Sequence, residues 1–253
     1  MEQRVISRVA YQETKRQANI ENIAGQAAEE LSRIDSVASE KPGSDWTARF
    51  FRIAEDINTE HMQLLWGKVL AGEIKKPGSY SLRTLDLLRN ITQEEAELFV
   101  KVARLAIDTG QNSAFVPNFN SGEYLKEKYG LRFEHLLLLR ELGLLFSNDV
   151  GYTLTEQNHD YTATFTNGST CILVDWPKGT PSNELTGTRF TKFGSELLKL
   201  VDKAPADADY IEKFASHYRR EGVVIRAAPI IQWFDKGYEI DESAMKDYSK
   251  ATA

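Results

Sequence analysis

The residue types that most often perform chemistry are few in this sequence and are not spaced for it. The four histidines are His61, His135, His159 and His217. They form neither a His-x-x-x-His pair nor a zinc spacing with a glutamate, so we predict no metal site. His159 precedes Asp160, an acid–base combination, but adjacent residues on a strand point to opposite faces. We therefore favour a surface turn at this position.

Nucleophile and nucleotide motifs are also missing from the sequence. It contains no Gly-x-Ser-x-Gly elbow, no phosphate-binding Gly-x-x-x-x-Gly-Lys loop and no Rossmann fingerprint. Cys171 starts the apolar run Cys171–Val174, where we expect a buried, inert thiol, and a single cysteine excludes an internal disulfide. We predict no cofactor and assign no catalytic residue. A hydrolase or nuclease with a dispersed site stays open as an alternative.

Charge and apolar patterning weigh against several classes of protein. The 31 Lys and Arg residues against 37 Asp and Glu give a net charge of −6, without the positive field that drives nonspecific nucleic-acid binding. The longest apolar stretch, Leu136–Phe146, contains Arg140 and Glu141 and is too short to span a bilayer. No apolar segment of the secretory type follows Met1. We predict a cytoplasmic protein with no membrane span.

One candidate binding site is the loop around the Pro77–Gly78 turn. The residues that would form it are Lys75, Lys76, Ser79, Tyr80 and Arg83. Backbone amides near the start of the following helix, together with these cations, suit an anion such as a phosphate or a partner carboxylate. We predict an anion- or partner-binding site here. The alternative is a solvated helix connection whose lysines serve solubility.

A second candidate is a pair of short helices between Ser121 and Gly143, followed by a strand that ends at Tyr152–Thr155. This order is typical of a winged helix-turn-helix, which often binds DNA through its second helix. The phosphate contacts would come from Lys126, Lys128 and Arg132. However, four basic residues between Ser121 and Gly143 are balanced by four acidic ones, and counterion release needs a cationic face. We favour a structural or protein-binding unit and keep a DNA-binding regulator as the alternative.

The elements that position these residues predict a mainly α protein. Apolar residues recur every three or four positions up to about residue 110, beginning with a helix over residues 4–34. Strand patterns follow, and Asn167-Gly168 between two of them is a strong hairpin signal. We predict a helical domain over residues 1–112. Residues 113–253 should form a winged-helix-like α+β domain with a β-hairpin and a polar tail.

The helix over residues 4–34 has a continuous apolar seam in its second half only. The seam consists of Ile20, Ile23, Ala27, Leu31 and Ile34. Glu13, Lys15 and Arg16 interrupt any apolar face in the first half. The helix either packs on its own domain or binds a partner. We predict a homo-oligomer, or a complex with a protein partner, formed through this helix.

Several stretches resemble a bacterial family catalogued only as a domain of unknown function. They are Asp45–Ala54, Met62–Leu85, Glu94–Phe99, Tyr152–Thr155 and Thr191–Leu198. More distantly, the helix with Leu65-Trp66 and Leu70-Ala71, followed by Glu95-Ala96, is similar to abortive-infection alpha proteins. These act in the conflict of bacteria with phage, and neither family supplies a catalytic residue. We predict an uncharacterised bacterial, cytoplasmic interaction protein without enzymatic activity, and the distant resemblance alone implies a link to phage defence.

Overall fold

The computed structural model describes residues 1–32, 37–110, 113–234 and 237–250. It divides the chain into two compact units, Met1–Ile91 and Thr92–Ala253. The predicted domain boundary at residue 112 lies outside the described residues, and a division of the chain at that point stays a prediction. Ile34, the last residue of the predicted seam, also lies outside them.

Helices alone make up the regular structure of the first unit in the part of the chain that the structure describes. They are α1 (Glu2–Ser32), α2 (Ser44–Ala54), α3 (Glu60–Lys75) and α4 (Leu82–Asn90). The prediction of a helical N-terminal half is therefore confirmed. In α2, for example, the buried residues Trp46, Phe50 and Ile53 recur at spacings of three and four and form one stripe.

Large aromatic side chains form the core of this first unit. The rings of Trp46 and Phe50 stack with their centroids 5.0 Å apart, and Phe50 meets Trp66 of α3 at 5.4 Å. Each ring removes a large apolar area from water. Helices α1 and α3 pack at Gly67, where a Cβ would lie 2.5 Å from the Cβ of Gln26. Glycine at this position allows the two helix backbones to approach closely.

The second unit combines helices with an antiparallel sheet. Its helices are α5 (Gln93–Ala103), α6 (Glu123–Tyr129), α7 (Phe133–Glu141), α8 (Lys192–Leu198) and α9 (Ala208–Tyr218). Its strands are β1 (Ile107–Asp108), β2 (Ala114–Pro117), β3 (Leu145–Leu154), β4 (Tyr161–Asn167), β5 (Thr170–Trp176), β6 (Asn183–Phe190), β7 (Val224–Phe234), β8 (Gly237–Ile240) and β9 (Lys246–Asp247). Turns of 3-10 helix lie at Phe119–Gly122 and Glu242–Ala244.

The strands lie in the order β3-β6-β2-β1-β4-β5-β7-β8, and β9 pairs with β7. Strands β4 and β5 pair around the Asn167-Gly168 turn, with Thr166 opposite Cys171. The backbone of Gly168 has a φ of 55°, in the left-handed region that glycine adopts without strain. On the sheet, Phe165 of β4 contacts Phe214 and Tyr218 of α9, with ring centroids 5.1 and 6.2 Å apart.

The prediction of a mainly α fold is wrong, because the described part of the second unit contains a nine-stranded antiparallel sheet. The pattern of β6 does not indicate a strand, since Leu185 and Phe190 are its only large apolar residues. Its Gly187 is needed because a Cβ there would lie 2.5 Å from the carbonyl oxygen of Val116 on β2. The apolar spacing also assigns Ile107 to a helix, but α5 ends at Ala103 and Ile107 belongs to β1.

The prediction of a winged-helix-like unit, with the hairpin as its wing, is also wrong because of this sheet. A wing needs edges that are free to reach a nucleic acid. Strand β4 instead pairs with β1 and strand β5 with β7, so the hairpin lies inside the sheet. Strand β3 pairs with β6, which comes after both hairpin strands in the chain, and forms an edge of the sheet.

Phe50→Ala tests the aromatic core of the first unit. Phe50 is fully buried between Trp46 and Trp66, and loss of a buried phenyl ring leaves a cavity. We expect the free energy of unfolding to fall by about 3–5 kcal/mol. The matched control Leu64→Ala, at an exposed position of α3, should change it by less than about 0.5 kcal/mol. Urea unfolding followed by circular dichroism measures both, and a Phe50→Ala loss no larger than the control would contradict this core.

Candidate functional site

The residues predicted for the Pro77–Gly78 loop fall into two groups in the structure. Lys75, Lys76 and Arg83 are exposed at the end of α3 and in the first turn of α4. Ser79 and Tyr80 are buried. The Ser79 hydroxyl donates to the carbonyl oxygen of Lys76 at 2.7 Å, and the Tyr80 ring packs against Gly72, where a Cβ would lie 2.8 Å from it. The loop therefore presents its three cations to solvent on a rigid base.

A buried carboxylate accepts hydrogen bonds from two of the backbone amides of this loop. Glu73 is 2% exposed, and its Oε1 and Oε2 accept hydrogen bonds from the amides of Gly78 at 2.7 Å and Tyr80 at 3.0 Å. Hydrogen bonds to a charged acceptor are the strong ones, so Glu73 fixes the turn. Sequence reasoning missed this residue, although an acid three positions after Leu70 on the buried stripe of α3 was a signal. Anion binding by Lys75, Lys76 and Arg83 stays a prediction.

The cations of the second predicted site are not brought together for phosphate binding. The Lys128 ammonium forms an ion pair with Asp209 and lies 3.6 Å from Asp207, both at the start of α9. The Arg132 guanidinium lies 3.4 Å from the carboxylate of Glu134. Lys126 is exposed at the rim of a 360 Å³ cleft that Arg132 also lines. Because carboxylates neutralise two of the three cations, the geometry gives DNA binding little support, and it stays a prediction.

An arginine network that lines this 360 Å³ cleft holds α7 on the sheet. The Arg140 guanidinium donates to Asp149 Oδ1 at 2.8 Å and to the Thr188 hydroxyl at 3.0 Å. The Asn118 side-chain amide donates to the other Asp149 oxygen at 2.9 Å. These groups hydrogen-bond to one another, which is typical of a structural network, whereas Arg140 Nε is buried without a hydrogen-bond partner among the described residues.

The histidines and the cysteine have structural surroundings. His217 Nε2 lies 2.9 Å from the carbonyl oxygen of Glu184, and burial lowers the pKa of this imidazole. The Cys171 thiol is buried 3.5 Å from the Tyr238 hydroxyl, and burial raises its pKa, which disfavours the nucleophilic thiolate. No group of three or more His, Cys, Asp or Glu side chains within the described ranges is arranged to hold a metal ion.

The N-terminal part of α1 is the most extended uncovered surface of the first unit. Every residue from Glu2 to Lys15 is exposed, including the apolar Val5, Ile6 and Val9. Burial begins at Asn19, which donates to the carbonyl oxygen of Glu55 at 2.8 Å, and continues at Ile23 and Ala27. Among the described helices, α1 included, none is long and apolar enough to cross a membrane.

Together these observations define, for the described residues, a four-helix first unit, a sheet-based second unit and hydrogen-bonded side-chain networks. The chain belongs to the family described as protein of unknown function DUF2806, whose model matches residues 3–215. This match confirms the predicted resemblance to a domain of unknown function. No curated protein and no solved structure matches the chain. The similarity to abortive-infection alpha proteins, and with it the link to phage defence, stays a prediction.

Glu73→Gln tests the internal carboxylate of the Pro77–Gly78 loop. The amide side chain keeps the size of the carboxylate but has one acceptor oxygen instead of two charged ones. We expect a loss of about 1.5–3 kcal/mol in unfolding free energy, with faster hydrogen exchange at the Gly78 and Tyr80 amides. Glu60→Gln, at an exposed position of α3, is the matched control and should change neither quantity. Unaltered exchange at both amides in Glu73→Gln would refute the assignment.

Proposed function

We propose that this chain is a non-enzymatic, cytoplasmic interaction protein that self-associates through residues 2–15 of α1. The observation that supports this function is the exposure of Val5, Ile6 and Val9 on a regular helix. Their exposed fractions are 45%, 61% and 46%, although aliphatic side chains gain most from leaving water. Nothing in the described part of the chain covers them.

The uncovered apolar residues continue the face of α1 that packs on α3. Val5 and Ile23 are 18 residues apart, as are Val9 and Ala27, and 18 residues make five turns of about 3.6 residues. Val5 and Val9 therefore lie above the buried Ile23 and Ala27 along one line of the helix. The packing face of α1 therefore extends beyond the residues that are buried in the first unit, and a second helix can cover this extension.

The length of this exposed segment is a second argument for a partner helix. Most helical stability in proteins comes from packing of an apolar face. Residues 2–15 add about 21 Å of helix at about 1.5 Å per residue without any such packing. A partner helix would supply the missing contacts.

Charge complementarity favours a second copy of α1, aligned in parallel, as the occupant. With Val5, Val9 and Gln12 as the seam, Arg8 and Glu13 flank it on opposite sides. These are the g and e positions of a coiled coil, where opposite charges attract across a parallel pair. In a symmetric dimer, Arg8 of each copy meets Glu13 of the other. Glu13 now pairs with Arg16 at 3.1 Å on the surface, an interaction that is weak enough to exchange.

Charge reversal at Arg8 and Glu13 tests this assembly. Arg8→Glu places two acids across the seam and Glu13→Arg places two bases, so each variant should self-associate at least about tenfold more weakly than the wild type. An equimolar mixture of the two variants should recover the association as a heteropair, because opposite charges then face each other. Sedimentation equilibrium measures the mass of each species.

Ser7→Glu, on the opposite face of the helix, is the matched control and should leave association unchanged. The double variant Arg8→Glu/Glu13→Arg restores the complementary pair and should associate like the wild type. A wild-type chain that is monomeric at about 100 μM, or reversal variants that associate normally and show no preference in the mixture, would reject this function.

A further inference from the structure

A second cleft, with a volume of 520 Å³, lies in the second unit, and none of the predicted site residues lines it. Its walls are α5, the segment from α5 to β1, the β4–β5 turn and the linker from α8 to α9. This volume is within the range of about 300–1,000 Å³ that is typical of small-molecule sites. Large apolar side chains on these walls include Val100, Leu105 and Val201.

Buried hydrogen bonds tie the walls of this cleft together. The side-chain amide of Asn167, 2% exposed, donates to the carbonyl oxygens of Arg104 at 3.0 Å and Ala106 at 2.9 Å. The Ser169 amide donates to the carbonyl oxygen of Ala204 at 3.0 Å, which fixes the α8–α9 linker on the turn. The cleft is thus formed before any ligand enters, which lowers the entropic cost of binding.

The acidic residues of the cleft have partners within the protein. Asp207 accepts a hydrogen bond from the Tyr129 hydroxyl at 3.1 Å, and Asp108 accepts one from the Gly110 amide at 2.8 Å. Glu97 accepts one from the side-chain amide of Gln93 at 2.8 Å. Asp202, the fourth acid of the lining, is partnered as well.

The basic residues of the cleft differ from its acids in this respect. Lys101 and Arg104 line it without an ion pair to any carboxylate in the described ranges. The Lys203 ammonium lies 3.1 Å from the ring centroid of Trp233, which holds it at the cleft by a cation–π interaction. Burial lowers the pKa of Lys203, and the charge of Asp108 partly opposes this effect. The cleft therefore offers cationic groups beside apolar walls.

We infer that this cleft binds a small organic anion, with its apolar body against the walls and its carboxylate or phosphate on Lys101, Arg104 and Lys203. Charge-assisted hydrogen bonds to an acidic group are strong in a partly buried site, and such a group would supply the ion pair that Lys101 and Arg104 lack among the described residues. An inorganic ion alone would make no apolar contact with Val100, Leu105 and Val201. Binding in this cleft is independent of the self-association of α1.

Titration calorimetry of the full chain with four eight-carbon probes of different charge, and with inorganic phosphate, tests this inference. The probes are octanoate, octyl phosphate, octan-1-ol, octylamine and inorganic phosphate. We expect octanoate, octyl phosphate or both to bind at least about tenfold more tightly than the other three probes. The two acids distinguish a carboxylate from a phosphate ligand. Quenching of Trp233, the exposed tryptophan at 40%, locates binding at the cleft, because Trp46, Trp66 and Trp176 are buried.

Variants of Lys203 separate recognition from folding. Lys203→Gln should weaken binding of the acidic probe at least about tenfold, whereas Lys203→Arg keeps the charge and should largely preserve it. Lys178→Gln, an exposed lysine outside the cleft, is the matched control and should bind like the wild type. Equal thermal unfolding of the three variants shows that the fold is intact.

Four results would overturn the inference. Octan-1-ol binding as tightly as octanoate would show an apolar cleft without anion recognition. Tighter binding of octylamine would show the opposite charge preference. Inorganic phosphate binding as tightly as octyl phosphate would show a simple anion patch. Neither acid binding at about 1 mM, the weak end of useful affinity, would show that the cleft is not a site for this class.

Discussion

The packing of α1 on α3 at Gly67 is the constraint on which the proposed assembly depends. A side chain larger than hydrogen at this position would collide with Gln26, so the two helices meet closely only because the residue is glycine. The contact buries Ile23 and Ala27 and anchors the second half of α1. Because helix formation is cooperative, the anchored half carries the helical conformation toward Glu2. The exposed Val5 and Val9 are thereby presented in a fixed orientation.

Two buried polar side chains, one in each unit, stabilise loops. Glu73 holds the Pro77–Gly78 turn, and Asn167 holds the segment from α5 to β1. Both are deeply buried and hydrogen-bonded, as buried polar groups must be. The groups proposed to bind a partner or a ligand lie on α1 and around the cleft of the second unit.

The sequence predicts the helices of this protein better than its sheet, for physical reasons. Helices are indicated by features of neighbouring residues, such as apolar side chains at helical spacing and capping boxes. One capping box, formed by Thr92 and Glu95, is present at the start of α5. A strand such as β6 becomes recognisable only through its neighbours, since small and polar residues suffice where β2 and β3 pair with it. Candidate sites are equally hard to predict, because their residues are far apart in the sequence. Lys128 was visible in the sequence, but its partner Asp209 is 81 residues away, and the cleft is lined by residues from six separate stretches of the chain.

Disulfide trapping at Val5 tests the central claim of a parallel α1 pair most directly. The chain has one cysteine, the buried Cys171, so an introduced thiol is the main one available for cross-linking. In a parallel pair, Val5 faces Val5 of the second copy at a distance that a disulfide spans. We predict that Val5→Cys forms a covalent dimer on mild oxidation, whereas Ser7→Cys, on the opposite face, does not. A Val5→Cys chain that stays monomeric, or that cross-links no faster than Ser7→Cys, would contradict the account.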